Sequence, residues 1–295
     1  MIDMNLVNFF QENGYVVVPG VFSPEEVALF RQHYMDLRVA GTYPGDFAAV
    51  DLQSHDPLKK YPRMINMHRW DALSLQFLLH DRLRQWLTAF LEQEPYAVQT
   101  MLYFKPPGAR GQALHQDQFF LRVQPGTCVA AWLALDRADE ENGCMQVVPG
   151  THNLPVLCHT QADTSKSFTA EAVILPEEMQ PEPVIMEAGD VFFFNGQVVH
   201  GSYPNTSAQR FRRALIGHYI VGQAEKVAEF YHPVLRMDGS QAGLGVNEEG
   251  GPCGLWVEQD GKPVVELQPE DSEASRISRQ LLFADDNREN VLKRD

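Results

Sequence analysis

The chain is short of cysteine, of positive charge and of long apolar runs, and each shortage closes off a class of function. Its four cysteines, Cys128, Cys144, Cys158 and Cys253, show no CxxC spacing and read as reduced thiols of a cytosolic protein. Lysine and arginine number 24 against 39 aspartates and glutamates, for a formal net charge of −15. Nucleic acid and anionic membrane both demand a basic surface, so neither is expected as a partner. The start Met1-Ile2-Asp3-Met4-Asn5 lacks the basic segment and apolar core of a secretory signal, and no run approaches a transmembrane span. Leu292-Lys293-Arg294-Asp295 is not the Ser-Lys-Leu peroxisomal address. Cytoplasm is the compartment that remains.

Hydrophobic residues make up 44% of the chain and aromatics 10%, enough to bury a full core and to exclude disorder. Length alone suggests about two domains, but all-β barrels often run to ~200–250 residues as one unit. A single catalytic domain is therefore expected over 1–295, with a core at about 96–221, helical decoration over 1–95 and an extension over 225–295. Leu6 to Asn13 reads as a helix ended by Gly14, and Tyr15 to Val18 as a strand. Ser23-Pro24-Glu25-Glu26 is a capping box opening a helix to about Arg38. Asp71 to Leu91 reads as one amphipathic helix with Leu73, Phe77, Leu83 and Leu87 on its stripe. Residues 41–70 read as a loop and candidate lid. Residues 152–187 read as an insertion that either folds over the substrate or stays a surface loop. Trp256 to Val265 reads as a hairpin about Asp260-Gly261, and Ser272 to Leu282 as a helix. That tail either closes the pocket or forms an oligomer contact.

The chemistry concentrates at His115-Gln116-Asp117 and at His200. Two imidazoles and a carboxylate can fill one face of an octahedral metal and leave the others open, which is the ligand set of a non-haem Fe(II) oxygenase. On an extended strand, positions i and i+2 share a face, so His115 and Asp117 converge while Gln116 points away. Tyr103 to Leu114, with Lys105-Pro106-Pro107-Gly108, suits a loop that delivers the triplet. His200 ends a β-type segment that starts at Gly189, and Arg210 to Ile220 reads as a further strand. If the open metal positions take an α-keto acid, its far carboxylate needs a planar, permanent cation. Alternation puts Arg210, Arg212, Ala214, Ile216 and His218 on one face and Arg213 on the other. Two of the three arginines are expected to be ordinary surface charges.

Several segments, in this order, resemble the phytanoyl-CoA dioxygenase family of Fe(II)/2-oxoglutarate oxygenases. They are Thr100-Met101-Leu102 with Lys105-Pro106-Pro107, Leu114-His115-Gln116-Asp117, Ala131-Trp132, Glu141-Asn142-Gly143-Cys144, Val148-Pro149-Gly150-Thr151-His152, His200-Gly201-Ser202 and Phe211-Arg212-Arg213-Ala214. The resemblance covers about residues 8 to 225. It implies a mainly β fold with flanking helices, the double-stranded β-helix of jelly-roll, cupin-like proteins. It assigns His115, Asp117 and His200 to iron, Arg212 and Ser202 to the 2-oxoglutarate C5 carboxylate, and Met101, Gln116 and Trp132 to the walls of the cosubstrate pocket. The cosubstrates it implies are 2-oxoglutarate and O2. The loop before Arg212 is one residue longer than in the family pattern, which leaves Arg210 and Arg213 as lesser substitutes. Related halogenases carry a small residue where Asp117 stands, so the expected outcome is hydroxylation of a small-molecule substrate.

The acidic surface weighs against a coenzyme-A thioester, since Lys59-Lys60 with Arg63 and Arg69 is the one basic cluster and reads as a solvated loop. His152 reads as a structural hydrogen-bonder. His218 stays open among pocket residue, partner of a ligand and core histidine. Two other classes compete: a non-catalytic cupin-like metal-binding or sensor protein, and a zinc hydrolase drawing its third histidine from His218.

Overall fold

The computed structural model describes residues 2–43, 46 and 48–290, with side chains described as far as 282. In chain order the elements that build the site are α1 (Met4–Asn13), β1 (Tyr15–Val18), α2 (Pro24–Val39), β2 (Met64–Ile65), α3 (Ala72–Leu78), α4 (Asp81–Leu91), β3 (Tyr96–Lys105), β4 (Gln112–His115) and α5 (Asp117–Leu121). They continue with β5 (Cys128–Ala134), β6 (Met145–Val147), β7 (Glu182–Val184), β8 (Val191–Asn195), β9 (His200–Ser202), β10 (Arg212–Ile220), β11 (Val234–Arg236) and β12 (Gln241–Ala242). The C-terminal extension adds β13 (Gly254–Gln259), β14 (Lys262–Leu267) and α6 (Glu273–Asn290).

The strands form a large antiparallel sheet in the order β1-β8-β5-β10-β3-β11-β12, with β2 also paired to β3. A second sheet runs β4-β9-β6-β7. The two face each other as a double-stranded β-helix, as the resemblance implied. Strand β5, Cys-Val-Ala-Ala-Trp-Leu-Ala, shows why its run is apolar throughout: it is covered on both faces. Val129, Ala131 and Leu133 join Phe90, Leu83 and Phe77 in a core between the large sheet and the helices. Ala130, Trp132 and Ala134 join Met145, Val147 and Val184 in a second core between the sheets. The metal candidates lie at the mouth of this second core.

Local signals set the helices. Ser23 and Glu26 make the reciprocal capping box that opens α2, and α1 closes on Gly14 in the left-handed conformation. The single helix expected over Asp71 to Leu91 is two. The chain breaks at Leu79–His80, and the His80 ring caps α4 by accepting the Arg82 backbone N–H. Phe77, Leu83 and Leu87 still reach the same core, so the apolar pattern persists through the break. Residues 41–70 are not a free loop, because β2 hydrogen-bonds to β3 and Arg69 donates to the Phe230 and His232 carbonyls. Of the basic cluster, Arg69 stays exposed while making these bonds, and Arg63 lines the cavity described below instead of a solvated loop.

The reading of four reduced thiols also fails. Cys158 and Cys253 form a disulfide across 95 positions, while Cys128 and Cys144 are free and buried. Spacing rules detect only cysteines that are near in sequence, whereas this pair meets because Leu157 bridges Gly254 and aligns the insertion with the C-terminal hairpin. Among the described residues no helix is long and apolar enough to cross a membrane.

Candidate metal centre and adjoining pocket

His115 is the last residue of β4, Gln116 stays extended at φ −122 and ψ 128, and Asp117 begins α5. The extended residue between them puts His115 and Asp117 on one side, as strand alternation requires. The helix starting at Asp117 had no signal in the sequence reading. His200 opens β9 and pairs in register with His115, which places the two ring centres 4.3 Å apart with their planes tilted by 52°. All three side chains are buried, and one ligand atom from each lies within 4.8 Å of the others.

The imidazole tautomers follow from their partners. Each Nδ1 lies 2.9 Å from a carbonyl two residues earlier, His115 from Ala113 and His200 from Val198. A carbonyl only accepts, so Nδ1 carries the hydrogen and each Nε2 keeps its lone pair towards the shared space, the one on His115 also standing 3.2 Å from the Gln112 side-chain nitrogen. Both Nε2 atoms stand 3.6 Å from Asp117 Oδ1, too far for a hydrogen bond and suited to sharing one cation. The other carboxylate oxygen, Oδ2, lies 3.2 Å from His218 Nε2. Burial opposes ionisation of Asp117, but the surrounding His200, His115 and His218 hold its carboxyl well below the usual carboxylate range. Burial and the neighbouring His115 push His200 down to about 4, which keeps it neutral and able to ligate. The donor set fits a divalent cation such as Fe(II), with one face filled and the rest open.

A cavity runs from this triad to Arg212 in one direction and to the surface in the other. Arg212 is 2% exposed, its Nε donates to the Gly143 carbonyl at 3.0 Å, and its guanidinium carbon lies 5.2 Å from the Trp132 ring centre. Its Nη1 has no hydrogen-bond partner, and among the described residues no carboxylate is within ion-pairing distance. A buried guanidinium with an unfilled donor is a prepared seat for an anion. Arg210 and Arg213 are committed elsewhere, Arg210 to Asp139 and Glu141 and Arg213 to Asp136. Arg210 in fact precedes β10, so it does not share the inward face with Arg212.

Met101 and Trp132 line the cavity as expected. Gln116 does not. Its amide donates to the Pro155 and Gln197 carbonyls and accepts from Leu157 N–H, so it ties loops together behind the triad. Ser202 is buried on the same side of β9 as His200, and its hydroxyl accepts from Lys105 Nζ at 2.7 Å. The Pro106-Pro107-Gly108 run makes Tyr103 onward resemble a loop in the sequence, and that hides Lys105. Strand β3 continues to Lys105, and alternation from Met101 through Tyr103 to Lys105 was the signal available.

His152 stays outside the cavity, with Asn153 as its ring's hydrogen-bond partner. The outer wall draws Arg63 and Ile65 from the segment read as a lid, Thr169 and Glu171 from the insertion, and Phe230 and Leu282 from the C-terminal extension. The insertion is therefore packed as wall, anchored where Val173 N–H donates to the Leu114 carbonyl beside His115.

Comparison with known proteins points to one family. The family model described as phytanoyl-CoA dioxygenase (PhyH) matches residues 10–214. "Phytanoyl-CoA dioxygenase, peroxisomal" of Rattus norvegicus is 27% identical over 225 residues, covering 72% of this chain and 66% of its own length. "Phytanoyl-CoA dioxygenase domain-containing protein 1" of Danio rerio is 34% identical over 246 residues, 68% of this chain and 84% of its own. Among solved structures, EvdO2 from Micromonospora carbonacea var. aurantiaca complexed with 2-oxoglutarate superposes with TM-score 0.61 at 22% identity, covering 75% of this chain and 92% of that one. The epimerase SnoN in complex with Fe3+, alpha ketoglutarate and nogalamycin RO gives TM-score 0.60 at 23% identity, covering 75% and 84%. At these identities the structures establish the shared fold.

Proposed function

This chain belongs to the phytanoyl-CoA dioxygenase family, and from that premise we propose that it is an Fe(II)/2-oxoglutarate-dependent dioxygenase that hydroxylates an aliphatic C–H bond of a small-molecule substrate. The observation that carries the reading is the pairing of an open-faced His115, Asp117, His200 triad with a buried Arg212 whose Nη1 lacks a partner in the same cavity. Bound there, Fe(II) would supply the oxidative chemistry in which substrate C–H, O2 and 2-oxoglutarate become alcohol, succinate and CO2.

The chain's own residues position and shield. The Ala113 and Val198 carbonyls fix the two imidazoles, and His218 fixes the carboxylate. Arg212, steadied by Gly143 and Trp132, receives the distal carboxylate of 2-oxoglutarate, and Ser202 offers its hydroxyl hydrogen to the same group. Met101, Trp132 and Ile216 exclude water from the space between Arg212 and the triad. Asp117 fills the position that a halogenase leaves open, which supports hydroxylation. His218 hydrogen-bonds Asp117 instead of joining the ligand group, which counts against a zinc hydrolase.

The test is anaerobic reconstitution with Fe(II), followed by succinate release against pools of candidate metabolites. Asp117→Ala should abolish iron binding and Arg212→Ala should weaken 2-oxoglutarate binding by at least about tenfold. Failure of every pool to raise succinate above background, with neither variant altering iron or cosubstrate binding, would leave the sensor reading in possession. A cytoplasmic site of action belongs to the same proposal, although the Cys158–Cys253 pair is of a kind rare in that compartment and the rat relative is named peroxisomal.

A further inference from the structure

Lys105 is the buried basic side chain that the proposed function leaves without a task. It ends β3 at 1% exposure, directly across from Arg212 in the β3–β10 register. Residues opposite each other on antiparallel strands point to the same face, so two basic side chains are buried side by side. Among the described residues neither has a carboxylate within ion-pairing distance. A like-charged pair of this kind is costly unless an anion arrives or one member gives up its proton.

The hydrogen bonds of Lys105 accommodate the second outcome. Its Nζ donates to Ser202 Oγ at 2.7 Å and to the Tyr203 carbonyl at 2.6 Å. A neutral amine has two hydrogens, and these two acceptors use both. Ser202 Oγ, accepting from Lys105, keeps its own hydrogen to donate onward. Gly143 keeps the arrangement possible, since a Cβ there would stand 2.7 Å from Lys105 Cδ and 2.7 Å from the Tyr203 carbonyl oxygen, and its φ of +83 also favours glycine. The same residue supplies the carbonyl that holds Arg212.

We propose that Lys105 is a positioning residue for the distal carboxylate of 2-oxoglutarate: it aims the Ser202 hydroxyl and takes up a proton as that carboxylate docks on Arg212, so that cosubstrate binding is proton-linked. The inference rests on the dioxygenase reading. Burial, then the adjacent Arg212, hold the Lys105 ammonium well below the ordinary lysine range while no anion is present, and Cys144 opposes this weakly. The other groups facing it do not titrate near neutrality. Cys144 is pushed up to about 11, Arg212 comes down only to about 10, and the Tyr203 phenol is raised by burial. A docked carboxylate restores the missing countercharge, raises the Lys105 pKa and draws a proton from solvent. Affinity for 2-oxoglutarate should then fall as pH rises between the two Lys105 pKa values, by up to about tenfold per pH unit.

The experiment is anaerobic calorimetry of 2-oxoglutarate binding to the Fe(II)-loaded protein in buffers of different ionisation enthalpy, from about pH 6.5 to 9. Uptake approaching one proton is expected for the wild type. It should be absent with 2-oxobutyrate, which has the keto acid but no distal carboxylate. Lys105→Met should bind 2-oxoglutarate at least about tenfold more weakly at neutral pH, with no pH dependence. If that variant fails to fold, the contrast between the two keto acids on wild type decides. Binding of 2-oxoglutarate with no net proton uptake, equal uptake with 2-oxobutyrate, or retained uptake in Lys105→Met each overturns the inference and leaves the dioxygenase reading intact. No binding of 2-oxoglutarate at any pH removes the dioxygenase reading and this inference with it.

Discussion

At the residue scale the site depends on what stands behind its ligands. Asp117 offers Oδ1 to the shared space and Oδ2 to His218, so His218 sets the rotation of the carboxylate. Loss of a partner that orients a ligand typically costs about 10- to 100-fold in metal affinity or activity. His218→Ala should show a loss of that size in Fe(II) affinity, followed by equilibrium titration, and His218→Gln, which keeps a donor, should recover part of it. Equal affinities across the three proteins would show that Asp117 orients without help. The role of His218 was open in the sequence because alternation put it on the Arg212 face without saying how far along the cavity it lies. His115 and Asp117 were legible, since two-residue periodicity and the chemistry of an open-faced metal constrain them together, whereas Arg212 stood out from Arg210 and Arg213 only through the family resemblance. Gln116 was misplaced because the resemblance pulled it into a pocket from which its own alternation had already turned it away.

At the scale of elements, the alternation of β5 and β8 divides side chains between two cores, and each core has its own consequence. Phe193, on β8, is fully buried against Phe90 on the helix side of the large sheet, with ring centres 5.2 Å apart. Phe193→Ala should lower stability by about 3–5 kcal/mol, measured by urea denaturation, with Fe(II) affinity unchanged under native conditions. Its neighbour Phe194 faces the other way, 4.4 Å from the His200 ring, so Phe194→Ala should perturb metal binding as well. Helix α6 belongs to the site rather than to a separate tail. Leu282 lines the cavity, and Ser278 accepts the His159 backbone N–H. A chain ending before Glu273 should retain 2-oxoglutarate binding and lose coupling of succinate release to substrate. Unchanged coupling would make the helix dispensable. The boundaries of β1 and α2 were readable from caps and turns, and so was the turn of the C-terminal hairpin at Asp260-Gly261, whose strands run from Gly254 to Leu267, beyond the Trp256 to Val265 expected. The break between α3 and α4 was not, because one apolar stripe runs through both.

At the scale of the whole molecule, burial of histidines gives the fold an acid limit. His159 is pushed down to about 3 by burial and then by His115, and His68 down to about 4 by burial and then by Arg69. Both lie below the ordinary value of about 6.5, so the unfolded chain binds protons first as pH falls. Their contribution is fully present above about pH 6.5 and is lost progressively towards about pH 4 for His68 and about pH 3 for His159. The urea midpoint of the metal-free protein should therefore fall across that window, and His159→Gln should flatten the fall. An unaltered slope would place the acid limit elsewhere. The disulfide acts at the same scale, joining the insertion to the extension that together wall the cavity. Alkylation of the denatured, unreduced protein should label two cysteines, Cys128 and Cys144. Labelling of four would mean that the pair is open.

By itself the sequence marked His115, Asp117 and His200 as a metal-ligand set, because an open-faced metal requires those residue types together and strand alternation brings the first two to one side. The jelly roll and the choice of Arg212 among three neighbouring arginines came only through the resemblance to the family. Tertiary structure alone decided which arginine is left with an unfilled donor, that Lys105 lies beside it, that His218 reaches Asp117, and that Cys158 meets Cys253. Those facts depend on strand register and on loops closing over distances of 95 or 101 positions. Registers and closures of that kind are set by how the two sheets and the extension pack as a body, and local patterning carries no record of them.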